Sequence, residues 1–361
     1  SPRVMAVDLE IRRDDVRETR LVDRAVPEPD EGQVLLRVES FGLTSNNITY
    51  AVFGDAMRYW DFFPVSEAGW GRVPVWGHAR VERSRHPEVV EGARVYGYLP
   101  AGTDVVLTPS RVTDRGFADA SPHRADLPAA YQTYRNVSTD PIHSPELEAE
   151  QELFFPLFIT SFLVDDFLAD EHLLDTDAVV LSSASSKTAI IAAYLLSRRD
   201  AVHVVGLTSA GNREFVTELD IYDAVLDYSE TADLPGQRAV YVDFSGSGEV
   251  RRDVHTRYAD GLIFSSVVGA THWTEMSAGG EHLPGARPTF FFAPDRVAKR
   301  TADWGGPALD RTVADAWIPF ARWASEWLQV ARVSTPEGLQ AAYLDLVEGR
   351  TDPAGGTIVS I

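Results

Sequence analysis

The stretch VVLSSASSKTAIIAAYLL, residues 179–196, contains an apolar strand, a turn of small residues and the start of a helix. Many nucleotide-binding proteins hold phosphate groups at such a turn. They use glycine there because glycine permits a tight turn and lets the backbone come close to the phosphate. This turn contains no glycine, so the sequence raises the question of what the turn binds.

Serine hydroxyls and a lysine take the places where glycine is usual. Small side chains keep the backbone approach moderately close, their hydroxyls can add hydrogen bonds, and the amides at the helix N-terminus favour an anion. The sequence therefore predicts a dinucleotide pyrophosphate at this turn, with the lysine supplying positive charge. The alternative is that the serines only cap the helix and the lysine is solvated. The candidate cofactor-binding residues are Ser183, Ser185, Ser186, Lys187 and Thr188.

A phosphate-binding loop of the nucleoside-triphosphatase type is a further interpretation of the same stretch. Lys187 and Thr188 follow a strand and begin a helix, as the lysine and threonine of that loop do, and Asp243 could supply a metal-binding carboxylate. That loop needs glycine where Leu181 and Ser186 stand, because larger side chains hinder the phosphate. The pattern therefore favours the dinucleotide.

The next strand, in AVHVVGLTSAGNREF, indicates which dinucleotide is preferred. NAD-binding folds usually end this strand with an acidic residue that binds the ribose 2′-hydroxyl. Here no acid follows the strand before Glu214, and neutral side chains with a nearby cation suit a 2′-phosphate instead. We therefore expect NADP(H) to be preferred over NAD(H). The residues concerned are Thr208, Ser209, Asn212 and Arg213.

Composition disfavours several classes of function. The chain has 361 residues, which favours two domains, and 54 acidic against 33 basic residues give a formal net charge of −21. This charge argues against nucleic-acid and anionic-membrane surfaces, because phosphate groups would be repelled over most of the protein. Without cysteine, neither disulfides nor cysteine-ligated metal sites can form. Neither a run of about 18 apolar residues nor a signal-peptide core is evident, so we expect a cytoplasmic protein whose partner is a small molecule.

The pattern of apolar runs divides the chain. Residues 1–110 contain short apolar runs separated by glycine and proline, which indicate a β-rich domain. Residues 112–148 are polar and predict a long irregular connection. From residue 151 onward, continuous Val/Ile/Phe runs alternate with helix-length segments, which is typical of a parallel sheet covered on both faces. The predicted class is α/β, with a doubly wound parallel sheet beside a β-rich domain.

Several stretches resemble the medium-chain dehydrogenase/reductase superfamily. VPEPDEGQVLLRVESFGLTSNNITYAVFGD is similar to its opening, GNREFVTELDIYDAVLDYSE and AVYVDFSGSG to parts of its nucleotide-binding domain, and TPEGLQAAYLDLVEGRTDPAGGTIVSI to its close. LFITSFLVDDFL followed by SSASSKTA resembles an uncharacterised branch, DUF2855. The resemblance implies a GroES-like β-rich substrate domain at 1–150, completed by 296–361, and a Rossmann-type nucleotide-binding domain at 151–295.

The resemblance also implies that catalysis does not use zinc. Zinc alcohol dehydrogenases need a cysteine where Thr44 stands, and a Gly-His-Glu motif that here reads Gly77, His78 and Ala79. A single histidine cannot hold catalytic zinc, which ordinarily takes three protein ligands. We therefore expect His78 to be structural.

Since the zinc ligands are missing from the sequence, the chain is similar to the zinc-free reductases of the superfamily, which are related to quinone oxidoreductases and enoyl reductases. These transfer hydride from NADPH to an activated C=C or C=O, while the protein positions both partners and polarises the acceptor. Asn46, Asn47 and Tyr50 lie where the family places residues that face the nicotinamide, so the resemblance makes them candidate catalytic residues. The alternative is that the two asparagines only cap a helix. The resemblance adds Tyr228, beside the 2′-phosphate, and Ser245 to the cofactor-binding residues.

The aromatic stretch AVFGDAMRYWDFFPVSEAGWG, residues 51–71, has two interpretations. In this fold it would lie at the mouth of a cleft between domains and indicate a large or aromatic substrate, or it forms a contact within a homodimer or between domains. The function also has two interpretations. One is a zinc-independent, NADPH-dependent reductase. The other is a non-redox enzyme or binding protein that kept the fold, and the glycine-free turn supports it.

Overall fold

The computed structural model describes residues 3–268 and 282–361. The chain divides into two compact units, the first formed by residues 1–153 and 321–361 and the second by residues 154–320. Each unit has its own hydrophobic core. Within the described ranges, no helix combines the length and the apolar character that crossing a membrane requires.

The first unit is built mainly from strands, because its sequence alternates short apolar runs with turns that contain glycine and proline. Its strands are β1 (Met5–Arg12), β2 (Asp15–Ala25), β3 (Val34–Leu43), β4 (Trp70–Gly71), β5 (Pro74–Ser84), β6 (Arg94–Pro100), β7 (Asp104–Leu107), β8 (Pro109–Thr113), β9 (Gly116–Asp119), β10 (Thr133–Asn136), β17 (Gln329–Val333) and β18 (Gly355–Val359). Its helices are α1 (Ser45–Val52) and α8 (Pro336–Val347), with parts of α2 (Glu148–Asp170) and α7 (Gly306–Trp327).

These strands form two sheets. One is a three-stranded antiparallel sheet in the order β2-β1-β4. The other has nine strands. Eight of them follow the order β17-β18-β3-β5-β6-β10-β9-β8, and the ninth, β7, pairs with β3. Helix α1 follows β3, which pairs with β5 in the middle of the larger sheet. The candidate catalytic residues on α1 therefore come directly after a strand in the middle of this sheet.

The segment at residues 112–148, predicted to be an irregular connection, contains regular structure, so that prediction was wrong in part. Strands β9 and β10 pair with Phe117 opposite Tyr134, and the two rings stack with centroids 5.5 Å apart. The buried Arg124 donates to the Tyr134 hydroxyl at 2.9 Å. These contacts join residues distant in sequence. The spacing of apolar residues within a short segment does not predict such pairing.

The second unit alternates strands and helices. Its strands are β11 (Ala178–Leu181), β12 (Val204–Thr208), β13 (Ala224–Asp227), β14 (Ala239–Asp243), β15 (Leu262–Val267) and β16 (Thr289–Phe290). Its helices are α3 (Lys187–Ser197), α4 (Arg213–Glu218), α5 (Gly248–Tyr258) and α6 (Ala293–Trp304), with the remaining parts of α2 and α7.

The six strands of this unit form a parallel sheet in the order β13-β12-β11-β14-β15-β16. Strands β11, β12 and β14 are buried along their whole length, as continuous apolar runs predict for a sheet covered on both faces. The winding direction reverses between β11 and β14. Ligands of open α/β sheets bind at the carboxyl ends of the strands at this point. The predicted α/β class, with a parallel sheet and a separate β-rich domain, is confirmed.

Candidate functional site

The serine turn begins at the carboxyl end of β11, where the winding reverses. Ser183 has a φ of +51°, in the left-handed region that favours glycine because a Cβ is crowded there. Its amide donates to the Tyr228 hydroxyl at 3.0 Å, and its carbonyl accepts from the Ser186 amide at 2.8 Å. At Ser183 the turn therefore has a backbone conformation that glycine would adopt easily, and a tyrosine that follows β13 holds it.

Close packing of this turn depends on a glycine in the neighbouring strand. A Cβ added to Gly206 of β12 would be 3.0 Å from the Ala184 Cβ and 2.9 Å from the Tyr222 ring. The Ala184 amide donates to the Leu207 carbonyl at 2.9 Å, and the Tyr222 hydroxyl donates to the Ala184 carbonyl, also at 2.9 Å. Gly206 thus provides from β12 the close approach that a glycine within the turn would otherwise permit.

Two serine hydroxyls of the turn bond within the protein. Ser186 is the N-cap of α3, and its hydroxyl accepts from the Ala189 amide at 3.3 Å. This is the capping that the alternative interpretation predicted. The Ser185 hydroxyl accepts from Nδ2 of Asn212 at 3.2 Å. That bond joins the turn after β11 to the segment after β12, so two of the predicted residues lie in contact.

Lys187 and Thr188 occupy the first two positions of α3, and both are half-buried. The Lys187 ammonium nitrogen lies 5.7 Å from the centroid of the buried Phe154 ring, which is the distance range of a cation–π contact. The Thr188 carbonyl accepts from the Ser161 hydroxyl at 2.7 Å. Lys187 therefore adds a positive charge to the first turn of α3, where the first amides of the helix also lie.

The residues at the end of β12 differ in exposure. Thr208 is its last residue, is buried, and lies opposite Asp227 in the register of β12 and β13. Ser209 is exposed, and its carbonyl accepts from the Asn212 amide at 3.0 Å. The short connection from β12 to α4 is thus closed by a backbone bond, which places Arg213 at the start of that helix.

The positive charge predicted to face a 2′-phosphate is paired with carboxylates. Arg213 forms an ion pair with Glu230, and its Nη1 lies 3.7 Å from Oδ2 of Asp227. Hydrogen bonds from Ser229 hold the pKa of Asp227 below its usual value, so this group is a carboxylate at neutral pH. Acidic groups therefore do lie near the end of β12. They come from the end of β13, too far along the chain for the sequence pattern to associate them with Arg213.

A buried carboxylate links β11 to β14. Asp243 is fully buried, and its Oδ1 accepts from the Ser182 and Ser245 hydroxyls at 2.9 and 2.8 Å. Its Oδ2 accepts from Arg251 at 2.8 Å. A buried carboxylate is tolerated when it is paired and hydrogen-bonded in this way. Asp243 and Ser245 are thus engaged in fixing the edge of the sheet, which disfavours the metal-binding role that a triphosphatase loop would require of Asp243.

The three candidate catalytic residues lie together on α1. Thr44 caps the helix, since its hydroxyl accepts from the Asn46 amide at 3.2 Å, and Oδ1 of Asn47 accepts from the Thr44 amide at 2.7 Å. Nδ2 of Asn47 donates to the Pro74 carbonyl at 2.9 Å. Both polar atoms of the buried Asn47 side chain are therefore bonded within the protein, as the capping alternative predicted for this residue.

Asn46 and Tyr50 form a different arrangement. Nδ2 of Asn46 and Nε1 of Trp76 donate to the Tyr50 hydroxyl oxygen at 3.0 and 3.2 Å. These two bonds use only the oxygen of Tyr50, so they leave its O–H as a donor. Burial raises the pKa of Tyr50 above its usual value. The hydroxyl is therefore protonated throughout the physiological pH range.

Other aromatic side chains surround Tyr50. The ring centroids of Tyr59 and Tyr98 lie 4.6 and 5.8 Å from that of Tyr50, and Tyr131 stacks on Tyr98 at 4.8 Å. Phe62 contacts Tyr98 edge-on at 5.0 Å. Tyr59 and Phe62 come from the aromatic stretch at 51–71, so at least part of this stretch packs around Tyr50 within the first unit.

His78 has titratable neighbours that the Gly-His-Ala motif around it did not indicate. Nδ1 of the buried ring lies 3.6 Å from a Glu152 oxygen, and Nε2 lies 3.9 Å from a Glu148 oxygen. Nε2 of His143 is 2.9 Å from that same Glu148 oxygen. His78, His143 and Glu148 each offer a ligand atom within 4.8 Å of the others, a spacing that could hold a metal ion. Arg94, however, donates to both oxygens of Glu148, at 3.0 and 3.1 Å.

The charges of this histidine cluster follow from burial and pairing. Burial by itself would raise the pKa of Glu148, but the hydrogen bonds from Arg94 and His143 outweigh it and bring the pKa to about 2. Glu148 is therefore a carboxylate whose charge the Arg94 guanidinium balances. For Glu152, burial is the larger effect and raises the pKa, although the Ser40 hydroxyl donates to this carboxylate at 2.6 Å.

The predicted residues lie in two groups, one in each unit. Asn46, Asn47 and Tyr50 are in the first unit. The group at the carboxyl edge of the parallel sheet in the second unit comprises Ser183, Ser185, Ser186, Lys187, Thr188, Thr208, Ser209, Asn212, Arg213, Tyr228 and Ser245. Sequence reasoning missed Trp76, Glu230 and the residues around His78. A partial signal existed for Glu230, because its spacing from Asp227 is that of a capping box.

The second group fits the phosphates of a dinucleotide. Ser183 adopts a conformation suited to a tight phosphate-binding turn, and the first amides of α3 lack intrahelical acceptors. The Tyr228 hydroxyl accepts from the Ser183 amide and keeps its own proton to donate. Arg213 supplies a guanidinium at the same edge. Hydroxyl, amide and guanidinium donors of this kind are those that bind phosphate oxygens.

A family model matches most of the chain. The family is DUF2855, described as a protein of unknown function, and the match covers residues 41–352 of the 361. No curated protein matches the chain by sequence.

Solved structures share the fold over nearly the whole chain. A quinone oxidoreductase from Coxiella burnetii is 13% identical over 99% of both chains, with a TM-score of 0.58. CurA from Vibrio vulnificus, in complex with NADPH, is 14% identical over 99% of this chain and 98% of that one, with a TM-score of 0.58. TarJ from S. aureus, in complex with NADPH, is 10% identical over 99% of both chains, with a TM-score of 0.55. The likeness is one of fold. It confirms the predicted fold class, with a Rossmann-type sheet and a GroES-like β-rich part.

Proposed function

The chain belongs to the DUF2855 family, and from that premise we propose that it is a zinc-independent, NADPH-dependent reductase. It transfers a hydride to an activated C=C or C=O of a small molecule. The observation that carries the proposal is the carboxyl edge of the parallel sheet, where Ser183, Tyr228 and Arg213 gather phosphate-binding donors next to the point at which the winding reverses. The second unit binds the cofactor, and the first unit binds the substrate.

In the second unit, different residues bind different parts of the cofactor. The amides at the start of α3 and the side chain of Lys187 bind the pyrophosphate, and Tyr228, held by the Ser183 amide, donates to a phosphate oxygen. Arg213 binds the 2′-phosphate after exchanging its present carboxylate partner. Their chemistry is binding and orientation, which contributes to rate because it fixes the reacting groups in a productive geometry.

On the substrate side the proposal rests on Tyr50. NADPH, when bound, supplies the hydride from its nicotinamide. The Tyr50 O–H donates to the acceptor oxygen, on which negative charge develops as the hydride arrives. Asn46 and Trp76 fix the position of this hydroxyl. Because burial raises the pKa of Tyr50, its role is that of a hydrogen-bond donor, and the proton that completes the reduction comes from solvent.

Titration with NADPH and NADH by calorimetry tests the cofactor assignment. We expect both to bind, NADPH more tightly, with hydride transfer from NADPH to a quinone, an enone or an aldehyde followed by the loss of NADPH absorbance. If neither dinucleotide binds at millimolar concentration, the protein is instead a non-redox member of the fold, which the glycine-free turn also allows. Equal affinity for the two would refute the NADP preference.

Tyr50→Phe tests the substrate side. Loss of one preorganised donor to a developing oxyanion costs about 10²- to 10³-fold in kcat, while the NADPH dissociation constant should stay unchanged. Tyr59→Phe is the matched control, because its ring lies 4.6 Å from that of Tyr50 and the substitution removes the same group. Similar turnover in the parent protein and in Tyr50→Phe would remove Tyr50 from the mechanism.

A further inference from the structure

The guanidinium of Arg213 and the carboxylate of Glu230 form an ion pair at the place proposed for the 2′-phosphate. Both side chains are partly exposed, 44% for Arg213 and 30% for Glu230, so a solute can reach the pair. Asp227 adds a second carboxylate at 3.7 Å. Two carboxylates around one guanidinium give this group a net negative charge.

Backbone bonds fix the position of Glu230. Its Oε1 accepts from the Asp227 amide at 3.1 Å, and the Asp227 side chain accepts from the Glu230 amide in return, so the two residues form a capping box at the turn after β13. The Glu230 carboxylate is therefore held toward Arg213 by the fold, and pairing costs little additional side-chain entropy. The pair belongs to the apo protein and does not depend on a ligand.

This arrangement places two anions in competition for one cation. A 2′-phosphate that binds Arg213 must displace Glu230 or accept a carboxylate as its neighbour, and like charges at such short distances repel. An adenosine nucleotide without the 2′-phosphate has no such requirement. The competition therefore acts on one class of nucleotide only.

We propose that Glu230 is a specificity-determining residue, whose carboxylate limits the preference of this site for adenosine nucleotides that carry a 2′-phosphate. The proposal deepens the proposed function and rests on its assignment of the adenosine end to this edge of the sheet. Arg213 creates the preference for the 2′-phosphate, and Glu230 reduces it. The parent protein consequently discriminates less between the two classes of nucleotide than the guanidinium alone would allow.

The test uses calorimetric titration of the full chain with adenosine 2′,5′-bisphosphate and with adenosine 5′-monophosphate. Glu230→Gln removes the charge but keeps an oxygen that can accept from the Asp227 amide, since glutamine also completes a capping box. We expect Glu230→Gln to bind the bisphosphate about tenfold more tightly and the monophosphate within about twofold of the parent. Adding Arg213→Met to Glu230→Gln should abolish the gain.

Glu214→Gln is the matched control. Glu214 is exposed, adjoins Arg213 in the chain and, within the described ranges, forms no ion pair with it. It removes the same charge and should leave both affinities nearly unchanged. Equal gains in Glu214→Gln and Glu230→Gln would mean that general charge is responsible, and an unchanged ratio of the two affinities in Glu230→Gln would also overturn the proposal.

The two proposals fail in different ways. If Glu230→Gln changes the ratio as expected but NADPH reduces no acceptor, the reductase assignment fails and the role of Glu230 stands. If NADPH binds and is oxidised but the ratio does not change in Glu230→Gln, the role of Glu230 fails alone. If neither adenosine nucleotide binds the parent or Glu230→Gln, the assignment of the adenosine end is wrong and the inference is overturned with it.

Discussion

Ser183 shows how a single residue can take over the conformation that glycine usually supplies. A non-glycine residue in the left-handed region costs roughly 1–2 kcal/mol, and Ser183 adopts it at a φ of +51°. The hydrogen bond from its amide to Tyr228 fixes the turn in this form. Strain that the surrounding structure holds in place is more common at binding sites than elsewhere, which supports the assignment of this turn to a ligand.

Lys187 provides the sharpest test at this scale. If its ammonium group contacts the pyrophosphate, Lys187→Ala should weaken NADPH binding about tenfold or more, because a charge-assisted contact contributes roughly 1.5–3 kcal/mol. The stability of the apo protein should fall only slightly, by about 0.5–1 kcal/mol for the lost contact with Phe154. Calorimetric titration and thermal denaturation measure the two effects.

Lys187→Met separates charge from packing, since methionine keeps an unbranched side chain against Phe154 while removing the positive charge. It should weaken NADPH binding as much as Lys187→Ala does. Should both variants bind NADPH like the parent, Lys187 is not a phosphate ligand, and the serines of the turn act mainly as a helix cap.

At the scale of elements, the position of α3 against β12 depends on one pair of small residues. Gly206→Ala would bring a Cβ to 3.0 Å from the Ala184 Cβ and 2.9 Å from Tyr222, so the turn or the strand must shift. We expect a loss of roughly 1–3 kcal/mol in the free energy of unfolding, measured by denaturant titration. NADPH binding should weaken as well, because the shift displaces the turn.

Two further variants make this prediction specific. Gly206→Ala combined with Ala184→Gly should recover part of the stability, since it removes one of the two close contacts and leaves that with Tyr222. Gly211→Ala is the control, because a Cβ there would meet nothing within 4 Å, and it should change stability by no more than about 0.5 kcal/mol. A Gly206→Ala protein as stable as Gly211→Ala would show that the strand adapts freely.

At the scale of the whole molecule, the sequence predicts local features better than contacts between distant segments. The parallel sheet was predictable because its central strands β11, β12 and β14 read as nearly continuous apolar runs, and the place of Asn47 in a helix cap was predictable because a cap involves neighbours in the chain. The bond between Ser183 and Tyr228 spans 45 residues. The pairing of Arg213 with Glu230 spans 17. The spacing of apolar residues along the sequence does not predict such contacts, because they depend on the order of the strands in the sheet.

The histidine cluster shows the same limit and leads to a prediction on metal content. From the sequence His78 had no companions, whereas His143 and Glu148 lie close enough to form a ligand set with it. Arg94 decides between a metal site and an ion-pair network. Its guanidinium donates to both Glu148 oxygens, so a divalent cation would have to share this carboxylate with a positive charge already in contact. A structural zinc site also takes four ligands as a rule, and this set offers three.

We therefore expect the purified protein, treated with chelator and then supplied with zinc at equimolar concentration, to retain less than stoichiometric metal in elemental analysis. Arg94→Met should raise zinc retention, because it removes the competing guanidinium and frees the carboxylate. His78→Ala combined with Arg94→Met should abolish that increase, since it removes the buried ligand. Stoichiometric zinc in the parent that His78→Ala removes would contradict the prediction. It would also show that the Glu148 carboxylate can bind a metal ion in the presence of Arg94.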